Sequence, residues 1–365
     1  MKEYDYKADV CIVGAGPGGA LLAYLLASHN ISTILVERHE SINKEFRGEH
    51  LNEMGEAILK KYNLFEELEK IGLLRMSRVE YWNNGKVIKE ILPDKKVNHV
   101  GIHVPQNHLL GLLLKKSKPL SDFTLLLNTK VVGLIEEDHH FKGVQAVKDG
   151  KEINIKSALI VGADGRFSTM RKLAQIPFKK IKHGYVLLWA RIPAPKDWEP
   201  TIRMALINHD QLAIFTQQGG FVQIGWNIPE GSFIELKKKS FEPFIRDLIE
   251  AFPELAESVK SHIQSWSDFV LLQVQSSQCE TWVNKELVII GDAAHTMSPT
   301  GAFGINSAMK DADLLFQIIK KAGGVSSVGP NELMHLEQIR RIEVEAQQKE
   351  QLEKESSFGK QFIPV

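Results

Sequence analysis

Short unbroken apolar runs alternate with glycine-bearing joints and helical spacings along the first third of the chain. Asp9-Val10-Cys11-Ile12-Val13 predicts a buried strand, and Leu21, Leu22, Leu25 and Leu26 recur at the spacing of a helix that runs to Ser28. Ile31-Ser32-Thr33-Ile34-Leu35-Val36-Glu37 predicts a second buried strand that ends on a carboxylate. A further helix is expected over Asn52 to Lys61, with Met54, Ile58 and Leu59 on its apolar face, and another over Leu109 to Leu114. Arg78–Trp82 and Lys86–Ile91 flank Asn83-Asn84-Gly85, a hairpin signal in which glycine supplies a positive φ. Phe123 to Leu127, Val131 to Ile135 and Ala158 to Val161 read as strands, while His139 and His140 fall in a polar turn with no third ligand nearby, so no metal is expected.

From about 178 to 275 the texture becomes that of an antiparallel sheet. Tyr185–Arg191, Thr201–Ile207, Leu212–Thr216 and Phe221–Trp226 alternate between turns rich in Pro, Asn, Asp and Gly. The 77–92 hairpin is expected to join this sheet, and a helical stretch from Ile234 to Ile249 to cover one face. Met204, Phe215 and Trp226 are either ligand-lining or plain sheet core. Leu287–Ile290 is a last apolar strand, followed by a helix with Ile305, Ala308, Ala312, Leu315, Phe316 and Ile319 in register. Glu332 to Glu355 reads as a charged helix, either solvated or an association face. The fold class is therefore α/β: a Rossmann-like domain with a mostly parallel sheet (1–76, 99–177 and 276–330), interleaved with an antiparallel-sheet domain (77–98 and 178–275), and a C-terminal helix over 331–365.

Three strand ends carry the chemistry. At the first, Gly14, Gly16 and Gly19 fit G-x-G-x-x-G. Gly14 permits the tight turn, Gly16 has no side chain to hold a pyrophosphate off the backbone, and Gly19 lets the helix lie close on the sheet. The helix start then faces the phosphates with its partial positive charge. Glu37, at the end of the next strand, stands where an acid accepts from both ribose hydroxyls, which disfavours a 2′-phosphate there. The second end is Gly162-Ala163-Asp164-Gly165, at the sheet edge where α/β proteins bind ligands; an ordinary Asp-Gly turn is the alternative. The third is Gly291-Asp292-Ala293-Ala294-His295, running through Pro299-Thr300-Gly301-Ala302-Phe303-Gly304-Ile305-Asn306 into a helix start suited to an anionic group. His295 is expected to pack under this loop rather than to act chemically. Arg47 is open between a surface ion pair and a cation for the pyrophosphate.

Composition narrows the field. The 365 residues are 43% hydrophobic and 25% charged, with 45 basic and 45 acidic side chains. A zero net charge gives no reason to expect nucleic acid or an anionic membrane. Two cysteines, Cys11 and Cys279, exclude a disulfide scaffold. No apolar run approaches the roughly 18 residues of a membrane span, so no integral membrane contact is expected. The first strand begins within ten residues of Met1, which leaves no room for a signal peptide and gives a cytoplasmic expectation.

The three landmarks, in this order over about residues 8 to 320, resemble the class A flavoprotein aromatic hydroxylases, whose type member is p-hydroxybenzoate hydroxylase. By that resemblance the cofactor is FAD. Gly14, Gly16, Pro17, Gly18 and Gly19 would hold its pyrophosphate, and Glu37 and Arg38 the adenosine end. Arg47, Gln106 and Val131 would meet the pyrophosphate, ribityl or neighbouring portions, Asp292 the ribityl or pyrophosphate, and Asp164 both FAD and NAD(P)H. Pro299, Gly301, Gly304, Ile305 and Asn306 would run along the isoalloxazine ring. The resemblance implies a monooxygenase that uses NAD(P)H and O2 through a flavin C4a-hydroperoxide to hydroxylate a small aromatic substrate. His50, Arg191, Gln223 and Trp226 are candidate polar groups of its pocket, no catalytic base is assigned, and a homodimer is open. This chain departs from many relatives at Phe303, in a loop where they carry G-x-G. It shows no arginine-and-tyrosine set for a phenolic acid, no second G-x-G-x-x-G for a separate NAD(P)H domain, and no extra domain after residue 330. The rival readings are an FAD-dependent oxidase, isoprenoid-type reductase or halogenase, the last on Trp226-Asn227-Ile228-Pro229, or a flavin-binding protein without turnover.

Overall fold

The computed structural model describes residues 3–42, 49–208 and 210–362, so Arg47 lies outside the described residues. The chain divides into two compact units. The first comprises Met1–Ile71, Gln106–Ile181 and Ser276–Glu350, and the second Gly72–Pro105, Lys182–Gln275 and Gln351–Val365.

The first unit is built on a sheet whose central strands are parallel. In spatial order they are Val283–Asn284, Leu287–Ile289, Lys151–Gly162, Tyr6–Val13, Thr33–Val36 and Phe123–Leu126. Val13 pairs with Gly162 on one side and Val36 on the other, and Gly162 pairs with Ile289. Four strands therefore finish level on one edge, which brings Gly14, Glu37, Ala163-Asp164 and Gly291-Asp292 together from three distant stretches of sequence. The apolar runs are fully buried, as expected of strands covered on both faces: Val10, Cys11 and Ile12 are 0% exposed. Burial also pushes the Cys11 thiol up to about 12, consistent with an inert core side chain.

Thr129–Glu137 and His140–Lys148 extend the sheet as an antiparallel hairpin next to Lys151–Gly162. The turn lies at Asp138 and His139, both with positive φ, while His140 already belongs to a strand and bonds Glu286 at 2.5 Å. That strand escapes a reading for apolar runs because only one of its faces is buried, with Phe141, Val144 and Ala146 inward among polar neighbours.

The second unit contains a seven-stranded sheet, ordered Val270–Cys279, Phe178–Pro193, Phe221–Pro229, Asp210–Gln217, Thr201–Ile207, Arg78–Asn83 and Lys86–Ile91. The hairpin joins the antiparallel strands as expected, but through a parallel pair, Thr201 opposite Arg78. One face packs on the helices Glu242–Ala251 and Ala256–His262, with Leu188, Ile214, Ile224 and Trp226 against Leu248, Phe252 and Val259. The single helix expected over Ile234 to Ile249 is broken into Phe233–Leu236 and Glu242–Ala251. Pro243 sits in the first turn of the second piece, where its missing N–H costs nothing.

The charged C-terminal helix, Pro330–Ser356, is not a solvated element. Leu333, Leu336, Arg340 and Val344 are each at most 1% exposed, and its residues to Glu350 pack with the first unit.

Candidate cofactor site

The strand-end edge of the first unit is shaped by glycines. Gly14 has φ +107, and a Cβ there would lie 2.4 Å from the Ala163 carbonyl oxygen, so the first and second landmarks touch backbone to backbone. A Cβ on Gly19 would lie 2.0 Å from the Gly14 oxygen, and one on Gly18 would lie 2.8 Å from the Ala308 oxygen. These contacts seat the Pro17–Ala27 helix on the sheet and against the Phe303–Lys321 helix. Gly16 behaves differently: a Cβ built there meets none of the described residues within 4 Å, and the same is true at Gly165 and Gly304. Packing explains Gly14, Gly18 and Gly19; at Gly16 the place a Cβ would take is open space among the described residues.

The helix behind Gly16 has Pro17 in its first turn, no acidic residue there and no side-chain cap. The Phe303–Lys321 helix likewise starts without a side-chain cap or a first-turn acid. Two uncapped helix starts, each with an open glycine, suit a dianionic pyrophosphate and the negative charge of a reduced flavin ring, since both would be met by N–H donors and the positive helix end. The residues present therefore fit FAD.

The acidic landmarks have distinct surroundings. Glu37 is 3% exposed; its Oε2 accepts from Ala15 N at 3.1 Å and its Oε1 from His39 N at 3.1 Å, so it ties the second strand end to the glycine loop. Arg38, beside it, is exposed. Asp164 accepts from Ser168 Oγ at 2.5 Å, Thr169 N at 2.7 Å and Met170 N at 3.1 Å, which caps the short Thr169–Leu173 helix. Burial pushes its carboxyl above the usual range despite those donors. Asp292 is half-buried in the third loop, and its carbonyl accepts from Thr296 Oγ1 at 3.1 Å.

In the loop after Asp292, Gly301 (φ +77) and Ala302 (φ +54) are both left-handed, and Ala302 bears a strain that glycine would not. The Phe303 ring folds back over Gly301, where a Cβ would come within 2.8 Å of it. Pro299 is exposed and Ile305 is 9% exposed. Asn306 is fully buried, and its side chain links three neighbours: Nδ2 donates to His50 O at 3.0 Å and Ala302 O at 2.6 Å, and Oδ1 accepts from Asn52 N at 3.2 Å. Its amide thus holds the loop in place, leaving only its backbone for a cofactor. Gln106 opens the Gln106–Ser117 helix and is 7% exposed; its N donates to Glu49 Oε1 at 3.1 Å. Val131 points into the core at 4% exposure. His295 packs under the loop at 2% exposure, as expected.

The candidate pocket groups separate. Trp226 is corrected: it is 1% exposed and stacked on Phe244 at 3.7 Å between centroids, on the helix-covered face of the second unit's sheet. Strand alternation forces this, because its neighbours Ile224 and Ile228 point the same way. Arg191 and Gln223 are paired across strands on the opposite face, in register with Phe215. The next row on that face is Trp189, Gly225, Ala213, Met204 and Tyr81. Trp189 leans over Gly225 and stacks on Phe215 at 6.2 Å and 29°. Gln217 bonds Gln223 at one end of this surface. His50 is half-buried in the first unit. The sequence reading missed Trp189 as a surface group, although the alternation Leu188, Ala190, Ile192 inward already places it on the other face.

The profile of the FAD binding domain family matches residues 7–324. The 6-methylpretetramide 4-monooxygenase of Streptomyces rimosus is 34% identical over 83% of this chain and 73% of its own length. The digeranylgeranylglycerophospholipid reductase of Methanosarcina acetivorans is 25% identical over 82% of this chain and 72% of its own. Among solved structures, Pseudomonas aeruginosa PqsL in complex with 2-aminobenzoylacetate superposes with a TM-score of 0.83, 19% identity and 96% of both chains covered, a likeness of fold. The chain belongs to the FAD binding domain family, in its class A monooxygenase branch, and is an FAD-binding oxidoreductase.

Proposed function

We propose that the chain is a single-polypeptide hydroxylase that takes reducing equivalents from NAD(P)H, consumes O2 and places one oxygen atom on an aromatic substrate. The observation that carries this reading is the 34% identity to a named monooxygenase over 83% of the chain. In this reading the first unit is the FAD domain and the second the substrate domain.

Bound FAD would supply hydride acceptance and oxygen activation. The protein's part is to bind and orient. Gly16, with Pro17, Gly18 and Gly19 around it, would admit the pyrophosphate to the helix start, with Arg47, Gln106 and Asp292 as further contacts. Glu37 and Arg38 would meet the adenosine ribose, and Asp164 and the Val131 backbone its neighbourhood. The start of the Phe303–Lys321 helix, reached through Pro299, Gly301, Gly304, Ile305 and the Asn306 backbone, would stabilise negative charge on the reduced ring. The Trp189–Phe215 stack, flattened by Gly225 and Ala213, would take a planar ring system, with Gln223 and Arg191 as polar edges. No helix among the described residues is long and apolar enough to cross a membrane.

The test is a panel of aromatic compounds screened for stimulated NADPH oxidation, with product mass measured. A compound that both accelerates oxidation and gains one oxygen atom supports the proposal. The reductase relative favours a second reading, which predicts saturation of an isoprenoid double bond without oxygen and no oxygenated product from any compound.

A further inference from the structure

Beneath the Gly291–His295 loop lies a buried charge cluster that the flavin-binding assignments do not use. One oxygen of Asp311, Oδ2, accepts from Gly291 N at 2.8 Å and from His295 Nε2 at 2.7 Å. Those two residues are the ends of the five-residue loop whose second member is Asp292, so a single carboxylate oxygen closes the loop like a clasp. Gly291 takes a left-handed φ of +58, which glycine adopts without strain, and a Cβ there would meet the Ala308 methyl at 3.0 Å.

The carboxylate is 0% exposed, and a bare charge buried this way is strongly unfavourable. Its other oxygen, Oδ1, accepts from Arg340 Nε at 2.7 Å. Arg340 is itself 0% exposed; its Nη2 donates to Ser307 Oγ at 2.6 Å and its Nη1 bonds Glu343, which also takes Lys310 Nζ at 2.7 Å. The cation arrives from the C-terminal helix, at a position where Leu333, Leu336 and Val344 mark the buried face. An apolar residue would be the ordinary occupant there.

We propose that Arg340 is a positioning residue for FAD: by neutralising Asp311 it allows one buried carboxylate to hold both ends of the Gly291–His295 loop, and thereby Asp292, in the shape that binds the cofactor. This makes the C-terminal helix a working part of the cofactor site. The inference rests on the reading that Asp292 contacts FAD.

The experiment titrates FAD into apoprotein by fluorescence quenching, well below each variant's own melting temperature, and records visible circular dichroism at saturation. Arg340→Met is expected to raise the FAD Kd at least tenfold and to alter the dichroism of the flavin that does bind. Arg340→Lys, which keeps the charge, should return Kd to within about threefold of wild type. If the methionine variant does not fold, Arg340→Gln carries the same expectation. A variant that melts earlier yet binds FAD with unchanged Kd and spectrum reduces Arg340 to packing and overturns the proposal. Asp292→Ala separates the two levels: loss of affinity there with none in the Arg340 variants sinks the clasp alone, whereas unchanged affinity in Asp292→Ala sinks the reading beneath it.

Discussion

At the scale of single residues, neighbouring glycines of one motif answer to different constraints. Gly14 is held by protein: its φ of +107 and the 2.4 Å approach of a Cβ to Ala163 O leave no room for any side chain. Gly14→Ala should lower the stability of the apoprotein by at least about 2 kcal/mol, read as a fall in the urea midpoint, whether or not FAD is present. The sequence carried the glycine spacing but not this division, because it shows which residues lack a Cβ and not what stands where the Cβ would be. Trp226 shows the same limit from the other side. Its type suggested a ligand surface, yet the parity of its strand position buried it on Phe244, and that parity placed Trp189 on the open face instead. Trp189→Ala is expected to raise KM for an accepted aromatic substrate roughly tenfold, since a lost ring contact is worth about 1 kcal/mol beyond its area, while leaving FAD binding unchanged by titration.

At the scale of elements, the strands covered on both faces were legible because they are unbroken apolar runs, and the Glu53–Lys61 helix because Met54, Ile58 and Leu59 recur at helical spacing. The His140–Lys148 strand and the burial of the C-terminal helix were not, because each buries one face only and presents charge on the rest. Arg340 was hidden twice over, as a basic residue in a basic-acidic helix whose apolar positions are sparse. Its partnership with Asp311 has a signature in pH. Burial opposes ionisation of Asp311, but His295 and Arg340 outweigh it and hold the carboxyl down to about 2. A carboxyl lowered on folding stabilises the folded state above its unfolded value, about pH 4, and that stabilisation is lost as pH falls toward 2. Wild type should therefore lose stability over this acid window in urea titrations. Asp311→Asn, which removes one of the two carboxylates that face buried Arg340, should be less stable by about 3 kcal/mol or more near neutrality, with the gap narrowing as the pH approaches 2.

At the scale of the whole molecule, topology does what no local pattern announces. Three glycine-and-acid corners from residues near 14, 164 and 292 reach one edge because their strands are parallel neighbours in a single sheet. The corners were readable one at a time; their convergence follows from strand order, which a single sequence supplies only through resemblance to a known family. The second unit shows the reverse. Its sheet was legible from alternation, but the parallel join between Thr201 and Arg78 was not, since hairpin signals specify only antiparallel neighbours.

The central claim is that the open backbone at Gly16 on this edge receives the FAD pyrophosphate, and Gly16→Ala tests it most directly. The glycine has φ −74, which alanine adopts freely, and the added Cβ meets none of the described residues within 4 Å. FAD titration of wild-type and Gly16→Ala apoproteins, matched for melting temperature, should show the variant folded as wild type with FAD bound at least tenfold more weakly. Equal affinity in the two proteins would contradict the account.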